Sequence, residues 1–170
     1  MQGFISGFYK AAALKEVAVV GVFHDGKMLM GKRRDNAKWT QPGGHLEDGE
    51  KPLAGAVREL HEEAGIKADP SDLEHLKSKL VTKRDGEKMK VHAFKLNLLG
   101  KPATSMRNDP DNEVHRWHWT DINSPPKDVF SALHVPLKDN VLLEALGVKD
   151  LFKRLGYSDL YTDKAKAGRA

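Results

Sequence analysis

Hydrophobic positions in the first part of the chain follow the patterns of β-strands. The valine-rich run from Glu16 to Phe23 predicts a buried strand, and the turn HDGK leads into a second strand at KMLMGKRR. Two further strand-like runs flank the turn RDGE, and EVHRWHWTDI adds another alternating segment. These segments predict a hairpin followed by further strands in a mixed or antiparallel sheet.

Helical spacing occurs in two places. A helix is predicted to begin near Lys51 or Pro52, since proline is tolerated in a first turn, and to end at Gly65. Its apolar positions recur at i, i+3, i+4, i+7 and i+11 and would pack on the sheet as one stripe. The stripe comprises Leu53, Ala56, Val57, Leu60 and Ala64. A second helical pattern runs from 137 to 156, with a break at Gly147.

Composition narrows the class of protein. A chain of 170 residues with 39% hydrophobic and 31% charged residues is typical of one folded domain. The net charge of +4 is too small to indicate a nucleic-acid partner, but it is compatible with an anionic small ligand. The absence of cysteine excludes disulfides and thiolate chemistry and suits a cytoplasmic location. We find no apolar run long enough to cross a membrane and no signal-peptide pattern.

Negative charge is concentrated on another face of the first predicted helix. Glu59, Glu62 and Glu63 are spaced at i, i+3 and i+4, so their carboxylates should converge. Carboxylates so close together repel one another unless a cation lies among them, and oxygen ligands suit Mg²⁺ or Mn²⁺. Arg58 could reach back to Glu50 and join the preceding loop to the helix. The alternative is a solvated acidic helix face without a ligand.

The spacing of these residues resembles the signature of the Nudix hydrolases. The matching positions are Gly44, Glu50, Arg58-Glu59-Leu60, Glu62-Glu63 and Gly65-Ile66. The resemblance implies an α/β fold, the Nudix α/β/α sandwich around a mixed β-sheet, and hydrolysis of a nucleoside diphosphate linked to another group. We predict an N-terminal extension at 1–13, a Nudix domain at 14–158 and a flexible tail at 159–170.

The resemblance also implies roles for individual residues. Glu62 and Glu63 would bind the metal, with Glu59 as a further ligand or the base that prepares water, and Arg58 would orient them. The backbone carbonyl of Gly43 resembles another common ligand. Glu113 precedes a tryptophan-containing strand, where many family members place an additional metal-binding or catalytic acid; a surface role is the alternative. Glu50 and Gly65 would be structural residues of the motif.

Substrate contacts are predicted next to the metal loop. Arg33 or Arg34 could stabilise phosphate charge, although strand alternation prevents neighbouring side chains from pointing into the same site. Trp39 could stack on a base, and Gly44 permits close backbone approach to phosphate and metal. The alternatives are exposed charges at a strand end for the arginines and packing for Trp39.

The loop pattern GKRRDNAKWTQPGGHLEDGE is similar to that of MutT-like Nudix members, which cleave nucleoside triphosphates to a monophosphate and pyrophosphate. We therefore predict a (d)NTP pyrophosphohydrolase that uses Mg²⁺ or Mn²⁺. Other options are an NDP-sugar, ADP-ribose or dinucleotide pyrophosphatase, an enzyme that trims 5′-triphosphorylated RNA, and a catalytically silent nucleotide sensor. The expected partner is a small nucleotide, nucleic acid is not expected, and a homodimer remains open.

Overall fold

A computed structural model describes residues 13–35, 39–83, 85–102, 104, 111–121 and 141–147. The strands are β1 (Lys15–His24), β2 (Lys27–Arg33), β3 (Trp39–Thr40), β4 (Gly43–His45), β5 (Leu73–Thr82), β6 (Lys88–Asn97) and β7 (Val114–Asp121). The helices are α1 (Pro52–Ala64) and α2 (Val141–Ala145), and a 3₁₀ turn covers Pro70–Asp72. The predicted tail and nearly all of the predicted N-terminal extension lie outside the described residues.

Most predicted elements are confirmed. The hairpin of β1 and β2, the strands β5, β6 and β7, and helix α1 all occur where the pattern places them. The loop between β2 and α1 was predicted without structure, and this was wrong because it contains the short strands β3 and β4. Helix α2 begins at Val141 and ends before Gly147, which has a positive φ of 70°. The remainder of the second predicted helix lies outside the described residues.

The strands form one mixed sheet. In the described part of the chain its path is β3-β2-β1-β6-β5, with β4 paired to β1 and β7 paired to β2. Strands β1 and β6 are parallel from Lys15↔Met89 to Phe23↔Asn97, whereas the other pairs are antiparallel. The sheet is therefore mixed, as the prediction allowed.

Alternation along β1 divides the core between the two faces of the sheet. Ala18, Val20 and Val22 pack in a cluster with helix α1, whereas Val17 and Val19 pack in a second cluster with α2. Leu60 of α1 is fully buried, which stabilises the fold by roughly 1.5–3 kcal/mol relative to exposure. Helices thus cover both faces of the sheet, which confirms the predicted α/β/α sandwich.

A polar chain crosses three strands inside this framework. His92 on β6 is buried, and its Nε2 hydrogen-bonds with Oε2 of Glu16 at 2.5 Å. Its Nδ1 hydrogen-bonds with Oγ of Ser78 at 2.7 Å, and the same hydroxyl contacts Nε2 of His75 at 2.8 Å. Both ring nitrogens of His92 are therefore satisfied, as a buried imidazole requires.

Glu144 joins helix α2 to strand β5, and its loss should destabilise the fold in a pH-dependent way. Its carboxylate accepts hydrogen bonds from Lys77 at 2.5 Å and Lys79 at 2.9 Å, which lower its pKa to about 2. Stabilisation by a lowered carboxyl pKa is complete above the unfolded value of about 4.5 and is lost as the pH falls towards 2. We expect Glu144→Gln to be less stable than the original protein at pH 7, with a difference that narrows below pH 4.5.

Denaturant unfolding between pH 7 and pH 2 measures this difference. Glu74→Gln is the matched control. Glu74 is an exposed carboxylate on β5, the strand that carries Lys77 and Lys79, and it forms no ion pair with the described residues. An equal effect of the two substitutions, or a Glu144→Gln difference that does not change with pH, would contradict the assignment.

Candidate active site

Strand β4 holds the glycine pair against the sheet. Gly43 and Gly44 pair with Val19 and Ala18 of β1, and the N–H of Val20 donates to the carbonyl of Pro42 at 2.9 Å. Gly43 has a φ of 152°, and a Cβ there would lie 2.4 Å from the carbonyl oxygen of Ala18. Glycine is therefore required at Gly43 both by its backbone conformation and by the space available.

Helix α1 follows this loop and has well-defined ends. Pro52 occupies its first turn, and Gly65 ends it in a left-handed conformation with a φ of 69°. The N–H of Gly65 donates to the carbonyl of His61 at 2.9 Å. Both predicted ends are confirmed, and the buried stripe of the helix leaves its acidic side chains beside the loop.

Arg58 joins the loop to the helix. Its Nε and Nη2 donate to the two carboxylate oxygens of Glu50, each at 2.9 Å, so the predicted contact is present. Its Nη1 donates to Glu59 and to Glu62, again at 2.9 Å each, and Nη2 also donates to the carbonyl of His45 at 2.9 Å. These bonds lower the pKa of Glu50 and raise that of Arg58 above its usual range.

Glu59 and Glu63 lie against the glycine pair. The Glu59 side chain is only 12% exposed, and burial raises its pKa although Arg58 acts in the opposite direction. A Cβ on Gly44 would lie 2.5 Å from Oε1 of Glu59, so this carboxylate fills the space that Gly44 leaves. Oε2 of Glu63 accepts the N–H of Gly43 at 2.7 Å.

Trp117 supports the same helix from the sheet. Its indole N–H donates to the carbonyl of Glu63 at 2.9 Å and fixes the last turn of α1. This contact was not predictable from the sequence, because the spacing of the tryptophans along β7 does not indicate which helix they face.

The donor set of this site fits a hard divalent cation. Glu59, Glu62 and Glu63 and the backbone of Gly43 offer only oxygen ligands, which Mg²⁺ and Mn²⁺ prefer. The carboxylates of Glu59 and Glu62 both accept hydrogen bonds from one positively charged group, Nη1 of Arg58. Within the described ranges, no group of three or more acidic or histidine side chains is arranged so that it could hold a metal ion. Binding of a cation would therefore require these carboxylates to turn away from Arg58 and from the Gly43 N–H.

A second charged group joins the ends of β2 and β7. The Arg33 side chain is 9% exposed; its Nε and Nη2 donate to Asp35 at 2.9 Å each, and its Nη1 donates to Glu113 at 2.6 Å. The hydrogen bonds that Arg33 donates to Asp35, together with the charges of both carboxylates, raise the pKa of Arg33. The structure thus brings together two predicted site residues, Arg33 and Glu113, and adds Asp35, whose position two residues after Arg33 was the only available signal.

The other two predicted substrate contacts are Arg34 and Trp39. Arg34 is exposed, and its backbone N–H donates to the carbonyl of Glu113 at 2.8 Å. A Cβ on Gly31 would contact Trp117, which packs in the cluster with α1, so Gly31 lies on the α1 face of the sheet. The next residue, Lys32, pairs with Trp39. Since successive side chains of a strand point to opposite faces, Trp39 lies on the face opposite α1.

A cavity of about 380 Å³ lies between the start of β1 and the loop at 45–50. Four acidic residues line it, namely Glu16, Glu47, Asp48 and Glu50, together with Lys15 and His45. Burial, followed by the charges of Lys15 and Lys83, lowers the pKa of His45. This acidic lining would repel a polyphosphate.

The sequence profile of the NUDIX domain matches residues 14–140, which is most of the chain. The protein belongs to the Nudix family. An RNA pyrophosphohydrolase of Bartonella quintana (strain Toulouse) is 32% identical to this Nudix protein over 140 residues, covering 68% of this chain and 80% of the relative. A MutT-like protein of Streptomyces ambofaciens is 44% identical over 62 residues, covering 35% of this chain and 40% of that protein.

A solved MutT NUDIX hydrolase from Burkholderia pseudomallei shares the fold, with a TM-score of 0.60 and 20% identity over 70% of this chain and 92% of that one. These comparisons confirm the predicted family, fold and enzyme class: the protein is a Nudix hydrolase that acts on phosphoric anhydride bonds. Enzymes of this family generally use divalent metals. None of the described helices is long and apolar enough to span a membrane.

The Arg58–Glu50 pair should contribute measurably to the stability of the Nudix fold. A double-mutant cycle of Glu50→Gln and Arg58→Gln is expected to give a coupling energy of about 1.5–3 kcal/mol, typical of hydrogen bonds to charged groups. The control cycle pairs Arg58→Gln with Glu47→Gln, because the Glu47 carboxylate is 73% exposed and lies 4.0 Å from Nε. That coupling should stay below about 0.5 kcal/mol. Equal coupling in both cycles, measured by denaturant unfolding, would argue against a specific clamp.

Proposed function

We propose that this Nudix hydrolase uses Mg²⁺ or Mn²⁺ to cleave a nucleoside 5′-triphosphate group into a monophosphate and pyrophosphate. The observation that carries the proposal is the contact of the glycine pair with the acidic helix. Glu63 accepts the Gly43 N–H at 2.7 Å, and Glu59 fills the space over Gly44. The acidic helix and the glycine loop are thereby adjacent, so that carboxylates released from Arg58 and from the Gly43 N–H would have their oxygens free for a cation.

The metal would be held by Glu62 and Glu63, with the Gly43 carbonyl and either Glu59 or Glu113 completing the set. When bound, the cation supplies positive charge to the phosphate oxygens and increases the acidity of water. Glu59, shielded beside Gly44, is placed to act as a ligand or to accept a proton from that water. Without the cation, Nη1 of Arg58 holds Glu59 and Glu62 beside the loop.

The two arginines predicted to bind phosphate have different surroundings. Arg33 is neutralised by Asp35 and Glu113, which supports a role in holding Glu113 rather than in binding substrate. Arg34 is exposed and forms no ion pair with the described residues, which leaves its guanidinium able to contact the triphosphate. We therefore assign the phosphate contact to Arg34.

A second candidate substrate is the 5′-triphosphate end of RNA. It contains the same bond, and it is favoured by the name of the Bartonella relative, an RNA pyrophosphohydrolase. A silent nucleotide sensor is less well supported, because a binding module does not require a complete set of acidic residues around a water-activating site.

Product analysis by ion-exchange chromatography tests the proposal. The panel contains NTPs and dNTPs, 5′-triphosphorylated RNA, NDP-sugars, ADP-ribose and dinucleoside polyphosphates, each with Mg²⁺. Release of pyrophosphate from a triphosphate is the expected result, and exclusive cleavage of a sugar or dinucleotide substrate would overturn it. Glu62→Gln and Glu63→Gln should each lower turnover by more than about 100-fold, because a ligand of the cation is lost. Glu74→Gln should leave turnover unchanged.

Gly44→Ala should weaken the metal site while the fold is retained. The added Cβ would meet Oε1 of Glu59 at 2.5 Å, and the flexible end of that side chain would be displaced. We expect the Mg²⁺ concentration for half-maximal turnover to rise by about 10-fold or more, with little change in the unfolding midpoint. Gly100→Ala is the control, since a Cβ there meets nothing within 4 Å. An unchanged Mg²⁺ requirement in Gly44→Ala would remove Glu59 from the metal site.

A further inference from the structure

A bulge in strand β5 brings two polar side chains, His75 and Ser78, to the same face of the sheet. His75 pairs with Phe94 and Lys77 with the preceding residue Ala93, so β5 has one extra residue at this point. In a regular strand, side chains three positions apart point to opposite faces. The extra residue reverses the alternation, and Oγ of Ser78 lies 2.8 Å from Nε2 of His75. Bulges re-aim side chains in this way next to active sites.

The hydroxyl of Ser78 also contacts a buried histidine. Oγ of Ser78 lies 2.7 Å from Nδ1 of His92 on β6, and Nε2 of His92 lies 2.5 Å from Oε2 of Glu16 on β1. An ionised carboxylate only accepts hydrogen bonds, so neutral His92 carries its proton on Nε2 and leaves Nδ1 as an acceptor. Ser78 then donates its single proton to His92 and accepts the N–H of His75. The chain of hydrogen bonds therefore runs in one direction, from His75 to Glu16.

This order of groups is the one that activates a serine nucleophile. A nucleophilic hydroxyl requires a base within hydrogen-bond reach and a third group that orients the base. Ser78 supplies the hydroxyl, His92 the base and Glu16 the orienting carboxylate. Nδ1 can act as the base here, because Nε2 carries the proton that Glu16 binds. Ser78 is exposed whereas His92 is only 5% exposed, so the reacting oxygen is open to solvent while the base is held from both sides.

Ser71 shows how an ordinary exposed serine of this chain is placed. Its hydroxyl donates to Oδ1 of Asp69 at 2.6 Å. A carboxylate is a much weaker base than an imidazole, so this contact leaves the hydroxyl unactivated. Ser71 and Ser78 are both exposed and both donate a hydrogen bond, and they differ in the base that accepts the proton.

We propose that Ser78 is a nucleophile that accepts an acyl group from an activated carboxylic ester, with His92 as its base and Glu16 as a positioning residue. Oγ of Ser78 attacks the carbonyl carbon and forms a new C–O bond, while its proton passes to Nδ1 of His92. The bond to the leaving oxygen then breaks, and that oxygen takes the proton from His92. An ester with a good leaving group is required, because an exposed strand contributes little binding energy.

Labelling of the full chain with a fluorophosphonate in EDTA tests the nucleophile. In this reaction Oγ forms a bond to phosphorus, fluoride leaves, and the proton of the hydroxyl passes to His92. Peptide mapping by mass spectrometry gives the labelling rates of Ser78 and Ser71 in the same molecules. We expect Ser78 to react about 100-fold faster or more, as a positioned base allows. Equal rates at the two serines would overturn the proposal.

Glu16→Gln separates positioning of the base from simple support of the fold. The amide can donate to Nε2 of His92 and thereby move the ring proton to Nδ1, where it prevents transfer from Ser78. We expect the labelling rate of Ser78 to fall by at least about 10-fold, while that of Ser71 is unchanged. Glu74→Gln is the matched control and should alter neither rate, since Glu74 is an exposed carboxylate on β5. An unchanged Ser78 rate in Glu16→Gln would contradict the assignment.

The ester p-nitrophenyl acetate tests acceptance of the acyl group itself. We expect a burst of p-nitrophenol, an acetyl group on Ser78, and loss of the burst in Ser78→Ala. Release that continues after the burst would make the site an esterase, whereas release that stops would make Ser78 a modification site; both results support the nucleophile. Absence of acetyl-Ser78 would refute it.

These outcomes are separate from the proposed pyrophosphohydrolase activity. The three hydrogen bonds of the chain join β1, β6 and β5 and involve no residue of α1 or of the glycine pair. The experiments are carried out without divalent metal and without a nucleotide. Failure of either proposal would therefore leave the other unchanged.

Discussion

The guanidinium of Arg58 is the interaction on which the arrangement of the site depends. Arginine has five N–H donors, and all five are used: two on Glu50, one each on Glu59 and Glu62, and one on the carbonyl of His45. Three carboxylates so close together would otherwise repel one another and resist ionisation. Lysine could neutralise the charge but could not match the planar pair of oxygens on Glu50.

This arrangement links the proposed binding of a cation to the attachment of the loop to the helix. Glu59 and Glu62, proposed to hold the cation, are the same residues that share Nη1 of Arg58. Glu50 remains bonded to Nε and Nη2 whichever partner the helix carboxylates take. The loop could therefore stay attached to the helix if Glu59 and Glu62 left Arg58 to bind a cation. Without the cation, Arg58 balances the negative charge of these carboxylates.

Local features of the chain were predictable from the sequence, whereas contacts between distant segments were not. The ends of α1 follow from Pro52 and Gly65, and the Arg58–Glu50 contact follows from the spacing of the signature. Strands β3 and β4 have two and three residues, too few to show a periodic pattern. The contact between Arg33 and Glu113 spans 80 positions and depends on the pairing of β2 with β7, which no local pattern encodes.

The same limit explains why overall charge gave an incomplete picture of possible partners. A net charge of +4 treats all cations alike, yet neighbouring cations of β2 have opposite surroundings. Arg33 is shielded and balanced by two carboxylates, whereas Lys32 faces Arg116 and forms no ion pair with the residues that the structure describes. Alternation along a strand separates these two side chains, so residues adjacent in sequence belong to different electrostatic environments. A small net charge over the whole chain therefore does not show how positive charge is distributed between the two faces of the sheet.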